Sequence, residues 1–254
     1  MANDAEIKSK TKDEGGILET VKVVVQALLI ALVIRTLLFQ PFNIPSGSLI
    51  PTLLIGDYLF VSKYTYGYSK HSMPFSPPLF QGRVWAAEPK RGDIAVFKLP
   101  SDGSTDYIKR VIGLPGDRIQ MIDGILHINN APVKRERIAD FVTTDAWGRS
   151  APVIQYRETL PNGVSHSIIE REGDTGTFDS TPVFTVPAGH FFMMGDNRDN
   201  SLDSRDRSVG YVPFENFVGR AEIIFFSIDE GASAWRIWEW PWTVRWNRMF
   251  STIK

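Results

Sequence analysis

One stretch constrains this chain more than any other: Ile17–Phe39, reading ILETVKVVVQALLIALVIRTLLF. A run this apolar must be covered either by protein core or by lipid. As a helix it would span roughly 34 Å, enough to cross the hydrocarbon of a bilayer. Gln26 interrupts it, and Lys22 and Arg35 lie toward its ends, where their stems can follow the helix and set the charges at the interface. A cleaved leader would be followed by a small-x-small site, whereas this chain continues with the bulky TLLFQPFNIP. The expectation is a retained single-pass anchor over 17–39, with a buried core helix as its competitor. Residues 1–16 are polar, mixed in charge and read as a disordered tail. Lys8, Lys10, Lys12 and Lys22 precede or open the run, and only Arg35 stands near its far end. The positive-inside rule then puts the tail in the cytoplasm and residues 40–254 on the other side of the membrane.

Beyond Pro41 the pattern changes to short apolar runs at 58–66, 93–99, 107–114, 118–129, 182–187, 190–195 and 221–228, separated by Gly, Pro and Asp turns such as Leu114-Pro115-Gly116-Asp117 and Asp123-Gly124. This predicts a mainly β fold, a curled antiparallel or barrel-like sheet behind the transmembrane helix. Residues 40–129 and 182–230 form the expected β core. The more polar 130–181, with bends at Gly148, Gly163, Gly173 and Gly176, reads as an inserted second β subdomain. The stretch 67–90, with Pro74, Pro77, Pro78 and Pro89, reads as a surface loop. Five of the seven tryptophans fall in 231–254 beside Arg236, Arg245 and Arg248, a composition suited either to a membrane interface or to packing on the core.

Composition removes several functions. A net charge of -1 argues against a nucleic-acid partner. The absence of cysteine removes disulfides, thiolate metal sites and a cysteine nucleophile. His71, His127, His166 and His190 form no His-x-x-x-His pattern, and neither a metal nor another cofactor is expected.

Three blocks carry the chemistry. The first, Asn43–Thr52 (NIPSGSLIPT), sets serines on a Pro/Gly-framed turn, where a hydroxyl can be exposed beside backbone N–H groups able to bind an oxyanion. An ordinary loop reads the same way. The second, Asp106–Asp117 (DYIKRVIGLPGD), puts Lys109 in an apolar strand. Alternation places Tyr107, Lys109 and Val111 on one face and Ile108, Arg110 and Ile112 on the other. Lys109 is then either a solvated strand lysine or one kept dry until it loses its proton. The third, Met194–Arg205 (MGDNRDNSLDSR), fits a hydrogen-bonded turn or a calcium loop, although it lacks the EF-hand glycine and terminal glutamate.

In this order behind an N-terminal anchor, the blocks resemble the motifs of bacterial type I signal peptidases (leader peptidases), serine proteases with a Ser–Lys dyad. The resemblance runs from Pro41 to about Ser227 and fades in 67–90, in 130–181 and in the Trp-rich tail. It implies that Ser48 is the nucleophile and Lys109 the general base. Ser46 would join the Ser48 N–H in an oxyanion hole, Ser201 would orient the lysine amine, and Asp203 and Arg205 would form a supporting pair. Substrates would be the signal peptides of exported preproteins, cut after small residues at −1 and −3. Phe42, Ile44, Pro45, Leu49, Val96, Asp106 and Ile108 would line pockets that exclude larger side chains. Leu49 stands where the family commonly has methionine, a volume-conserving exchange. The implied location is the bacterial cytoplasmic membrane, with the catalytic domain on its periplasmic face, in contact with lipid and the export machinery. Organellar inner-membrane peptidases use related motifs, but the chain's size and the wording of its blocks favour a bacterial enzyme. A self-cleaving Ser–Lys repressor would carry a helix-turn-helix in place of the anchor. A membrane-tethered β module that only binds would have no use for all three blocks.

A lysine can serve as base only if it is neutral. A free one titrates at about 10.4, leaving roughly 0.4% neutral at pH 8. Lowering that by about three units requires roughly 4 kcal/mol of discrimination against the charged form, within reach of apolar burial. A carboxylate touching Lys109 would work the other way, so Asp203 is expected to pair with Arg205 and stay clear of the lysine.

Overall fold

The computed structural model describes residues 2–74, 76–77, 80–144 and 150–253; Pro78, in the expected surface loop, and Gly148, expected at a bend, lie outside them. Helix α1 (Ala2–Leu37) contains the apolar run. Its segment Gly16–Leu37 has a mean hydropathy of 2.3 and is not buried within the protein, so it is not a core helix and is long and apolar enough to cross a membrane. The helix begins at Ala2, where the sequence suggested a disordered tail. Alanine, glutamate and lysine between residues 2 and 16 are good helix formers, and they extend a helix that the apolar run has already nucleated.

The rest is strand and turn. Along the chain come β1 (Phe39–Asn43), β2 (Asp57–Ser62), β3 (Ile94–Lys98), β4 (Asp106–Gly113), β5 (Arg118–Ile122), β6 (Ile125–Ile128), β7 (Ala131–Pro132) and β8 (Lys134–Arg137). They are followed by β9 (Phe141–Thr144), β10 (Ser150–Thr159), β11 (Ser165–Glu170), β12 (Phe184–Thr185), β13 (His190–Met194), β14 (Val212–Pro213), β15 (Phe217–Ser227), the short α2 (Trp240–Thr243) and β16 (Ser251–Thr252). Every apolar run singled out above contains a strand. The main sheet is ordered β1-β2-β15-β3-β4-β13-β14, with β16 also on β15; β12-β5-β6-β7 form a second sheet, and β8 to β11 a third. The pairings of the main sheet are antiparallel. The described strands do not close into a barrel, because β1 bonds only to β2 and β14 only to β13. The sheet nevertheless curls: three strands lie between β1 and β4 in its order, yet Phe42 and Asn43 share one groove with Asp106–Lys109.

Strand β4 is packed from both sides. Val111 joins Phe97, Phe191 and Phe217 in one core cluster, while Ile112 joins Ile119, Phe192 and Met194 in another. Residues Lys109–Gly113 are therefore all buried, and no polar face alternates with an apolar one. The 67–90 stretch also departs from a surface loop: Tyr68, Ser69 and Ser72 are buried. Arg83 draws it inward by donating to the carbonyls of Gly67 (2.7 Å), Phe214 (2.9 Å) and Phe217 (2.5 Å).

The C-terminal segment is clamped to the sheet but leaves its indoles outside. Arg248 donates to Asp57 (3.2 and 2.6 Å), and β16 pairs with Ile223 and Ile224 of β15. Trp240 packs on Phe226 with ring centroids 5.2 Å apart. Trp235, Trp238, Trp242 and Trp246 are 91%, 66%, 70% and 57% exposed.

Candidate active site

Ser48 lies on the turn between β1 and β2. Leu49, the next residue, is 1% exposed and pinned in the core beside Ile44, Leu53 and Val96, which anchors the turn. Leu49, expected from the sequence to line a pocket, is not among the residues lining the groove beside Ser48, although its core neighbours Ile44 and Val96 are. The third block holds the turn from the other side. Asn197 donates its backbone N–H to the Ser48 carbonyl (3.1 Å) and its side-chain amide to the Gly47 carbonyl (2.9 Å), and Thr52 donates to Asp196 (2.6 Å). This close approach requires Gly195: a Cβ there would stand 2.2 Å from Ser201 Oγ and 2.5 Å from the Ser48 carbonyl oxygen.

Strand β4 brings Lys109 to the same point. Its Nζ is 2.7 Å from Ser48 Oγ and donates to the Ile108 carbonyl at 3.1 Å. The residue is 4% exposed, with the Tyr107 ring centroid 5.3 Å from Nζ. Burial pushes the amine down to about 8, against the pull of the Asp203 and Asp196 charges. Both carboxylates are committed elsewhere. Asp203 accepts two bonds from Arg205 at 2.9 Å, and Asp196 accepts two from Arg110 at 2.8 and 2.7 Å. Burial alone would raise both acids, but the guanidinium beside each outweighs it and holds them below the usual carboxylate range. Among the described residues no carboxylate forms a hydrogen bond with Lys109.

The other expected residues divide. Ser46 is exposed on the groove, and the Ser48 N–H donates to no backbone carbonyl among the described residues, so both are available to an oxyanion. Ser201 is 6% exposed and lies against Gly195, leaning toward Asp203, with no hydrogen bond from it to Lys109. The groove encloses about 500 Å³ and brings together Phe42, Ile44, Pro45, Val96, Asp106 and Ile108 with Asn43, Tyr107, Asn200 and Leu202. Asn200 and Leu202 flank Ser201 in the third block, and that adjacency was the available signal for them.

A buried polar network behind the site was not visible in the sequence. Arg110 is 0% exposed and Asp196 1%, while Arg198 forks onto Glu158 at 3.1 and 2.6 Å. His166 sits between Glu158 (3.4 Å) and Asp196 (3.8 Å). The network ties the third block to β4 and β10, and through Asn197 to the turn that carries Ser48.

Known proteins match this arrangement along most of its length. The family model described as "Signal peptidase, peptidase S26" matches residues 17–226. The signal peptidase I of Rickettsia typhi is 47% identical over 205 residues, covering 78% of this chain and 76% of that protein. That of Rickettsia conorii is 42% identical over 240 residues and covers 88% of each chain. That of Rickettsia canadensis is 43% identical over 240 residues, covering 88% of this chain and 89% of its own. Since the family match takes in the apolar helix and all three blocks around Ser48 and Lys109, this chain belongs to the signal peptidase family, peptidase S26.

Proposed function

We propose that the protein is a membrane-anchored serine endopeptidase that removes signal peptides from exported preproteins, with Ser48 as nucleophile and neutral Lys109 as base. The observation that carries this reading is a lysine 4% exposed, 2.7 Å from a serine hydroxyl. The amine takes the Oγ proton as Oγ bonds to the scissile carbonyl carbon. The developing oxyanion meets the Ser48 N–H and the Ser46 hydroxyl. The ammonium then gives its proton to the departing amine, the C–N bond breaks and an acyl-enzyme remains. Water, deprotonated by the same lysine, attacks the ester and releases Ser48.

The groove favours an extended substrate. Among the described residues, strand β1 bonds only to β2 and β13 joins β4 only from Arg110 onward, so Asp106–Lys109 and Phe39–Asn43 both keep a free edge there. A chain laid between them gains main-chain hydrogen bonds, and its residues at −1 and −3 face the same side. There Ile44, Val96 and Ile108 line the groove and would select small side chains by excluding larger ones. In detergent, the wild type should process a preprotein after a small-x-small sequence and Ser48→Ala should leave it uncut; unimpaired processing by Ser48→Ala contradicts the assignment.

The lysines before the apolar run support a cytoplasmic N-terminus with the sheets outside the membrane. Within those sheets, 40–129 and 182–230 form the catalytic core and 130–181 the insertion carrying β8 to β11. The four exposed indoles of the tail suit the headgroup region, where an amphipathic ring has one side apolar and one side wet. In vesicles of bromine-labelled lipid, replacing Trp235, Trp238, Trp242 and Trp246 with serine should reduce the quenching of tryptophan emission by about half. Equal fractional quenching in the variant contradicts this placement.

A further inference from the structure

Behind the third block three carboxylates converge. Glu170 ends β11, Asp179 lies in the turn that follows, and Asp199 belongs to the third block; one oxygen of each lies within 4.8 Å of the others. Glu170 is 0% exposed and neither of its carboxylate oxygens has a hydrogen-bond partner. Asp179 is 2% exposed, with Oδ1 also unpartnered. Arg135 comes only to 4.0 Å from Glu170, and its guanidinium is held by Asp174 at 2.9 and 3.1 Å. Arg198 is committed to Glu158.

The backbone fixes the two aspartates without neutralising them. Asp199 Oδ2 accepts the N–H groups of Arg171 (2.5 Å) and Glu172 (2.7 Å), and Asp179 Oδ2 accepts that of Gly176 (2.6 Å). Gly176 leaves the space open: a Cβ there would meet Asp199 Oδ1 at 2.5 Å and Asp179 Oδ2 at 3.2 Å.

We propose that Glu170, Asp179 and Asp199 bind a hard divalent cation, calcium or magnesium. The donors are carboxylate oxygens with no imidazole or thiolate among them, a set suited to those ions and not to zinc or copper. The ion would join the end of β11 and the 173–179 turn to the third block, two residues from the Asn197 that holds the Ser48 turn. Its role is to secure that turn, and the inference stands on these side chains independently of the proposed reaction.

Equilibrium dialysis of the full chain in detergent, stripped with EDTA, should show uptake of about one calcium or magnesium per chain, with a dissociation constant no weaker than about 1 mM. At about ten times that constant, the melting temperature should rise by about 3–6 °C. Glu170→Gln and Asp179→Asn should each weaken uptake about tenfold or more. Glu170→Gln should also melt higher than the stripped wild type, because it removes an uncompensated buried acid. No uptake of either ion by the wild type at about 10 mM, or full uptake by both variants, overturns the site. The wild-type result is decisive even if a variant fails to fold.

Discussion

Lys109→Met should cut the rate of preprotein cleavage about ten-thousandfold or more while leaving the protein folded and as stable as the wild type, or more so. The two effects separate because, in the proposed reaction, the amine carries the chemistry while its burial opposes folding. Methionine, one atom shorter, keeps most of the apolar stem of lysine in a site only 4% exposed, and it removes a group that must be desolvated. Without the amine, Ser48 Oγ keeps its proton and the site retains only what binding and the oxyanion donors supply. A base near about 8 is half neutral at pH 8, against well under about 1% for a free lysine, so burial multiplies the reactive form about a hundredfold. Single-turnover cleavage together with a thermal melt reads both quantities. A variant that melts normally and cleaves within about tenfold of wild type removes Lys109 from the mechanism.

Asp196→Ala should destabilise the protein by about 3–5 kcal/mol, because it takes away the carboxylate that accepts two bonds from the guanidinium of Arg110, a side chain at 0% exposure. It also removes the acceptor of the Thr52 hydroxyl and loosens the segment through which Asn197 holds the Ser48 turn. Activity should therefore fall together with stability. The double exchange Arg110→Met with Asp196→Leu should recover much of the stability, since an apolar pair carries no desolvation cost. It should not recover the activity, because leucine offers Thr52 nothing to bond. Urea denaturation of the single and double variants tests this. A loss below about 1 kcal/mol for Asp196→Ala means that the pair does not hold the third block.

The sequence exposed the anchor and most strands because their signals are local: an apolar run of bilayer length, and short β-rich runs between Gly and Pro turns. Ser48 and Lys109 were legible only as parts of three blocks in order. Neither is distinctive alone, and 61 residues separate them in the chain before the sheet brings them together. The network of Arg110, Asp196, Arg198, Glu158 and His166 was hidden because a charged residue in a strand normally faces water, and burial by a partner distant in sequence leaves no local trace. Leu49 was assigned to the groove because pattern places it beside the nucleophile, whereas packing turns it into the core. The helix at 2–16 was missed because polarity was weighed above the propensity of Ala, Glu and Lys to extend a helix already started. The inward fold of 67–90 depends on Arg83 bonding the carbonyls of Gly67, Phe214 and Phe217, contacts that composition does not report.

The central claim is that Lys109 is an uncharged base at working pH, and its own titration tests this most directly. In the full chain, with lysine labelled at Cε and the Lys109 signal assigned by its loss in Lys109→Met, the chemical shift should titrate with a midpoint near about 8, following the burial that lowers it. The cleavage rate should rise through the same midpoint, because the reactive species is the deprotonated amine. A Lys109 signal that stays that of an ammonium up to about pH 10, the range of an ordinary lysine, contradicts the account.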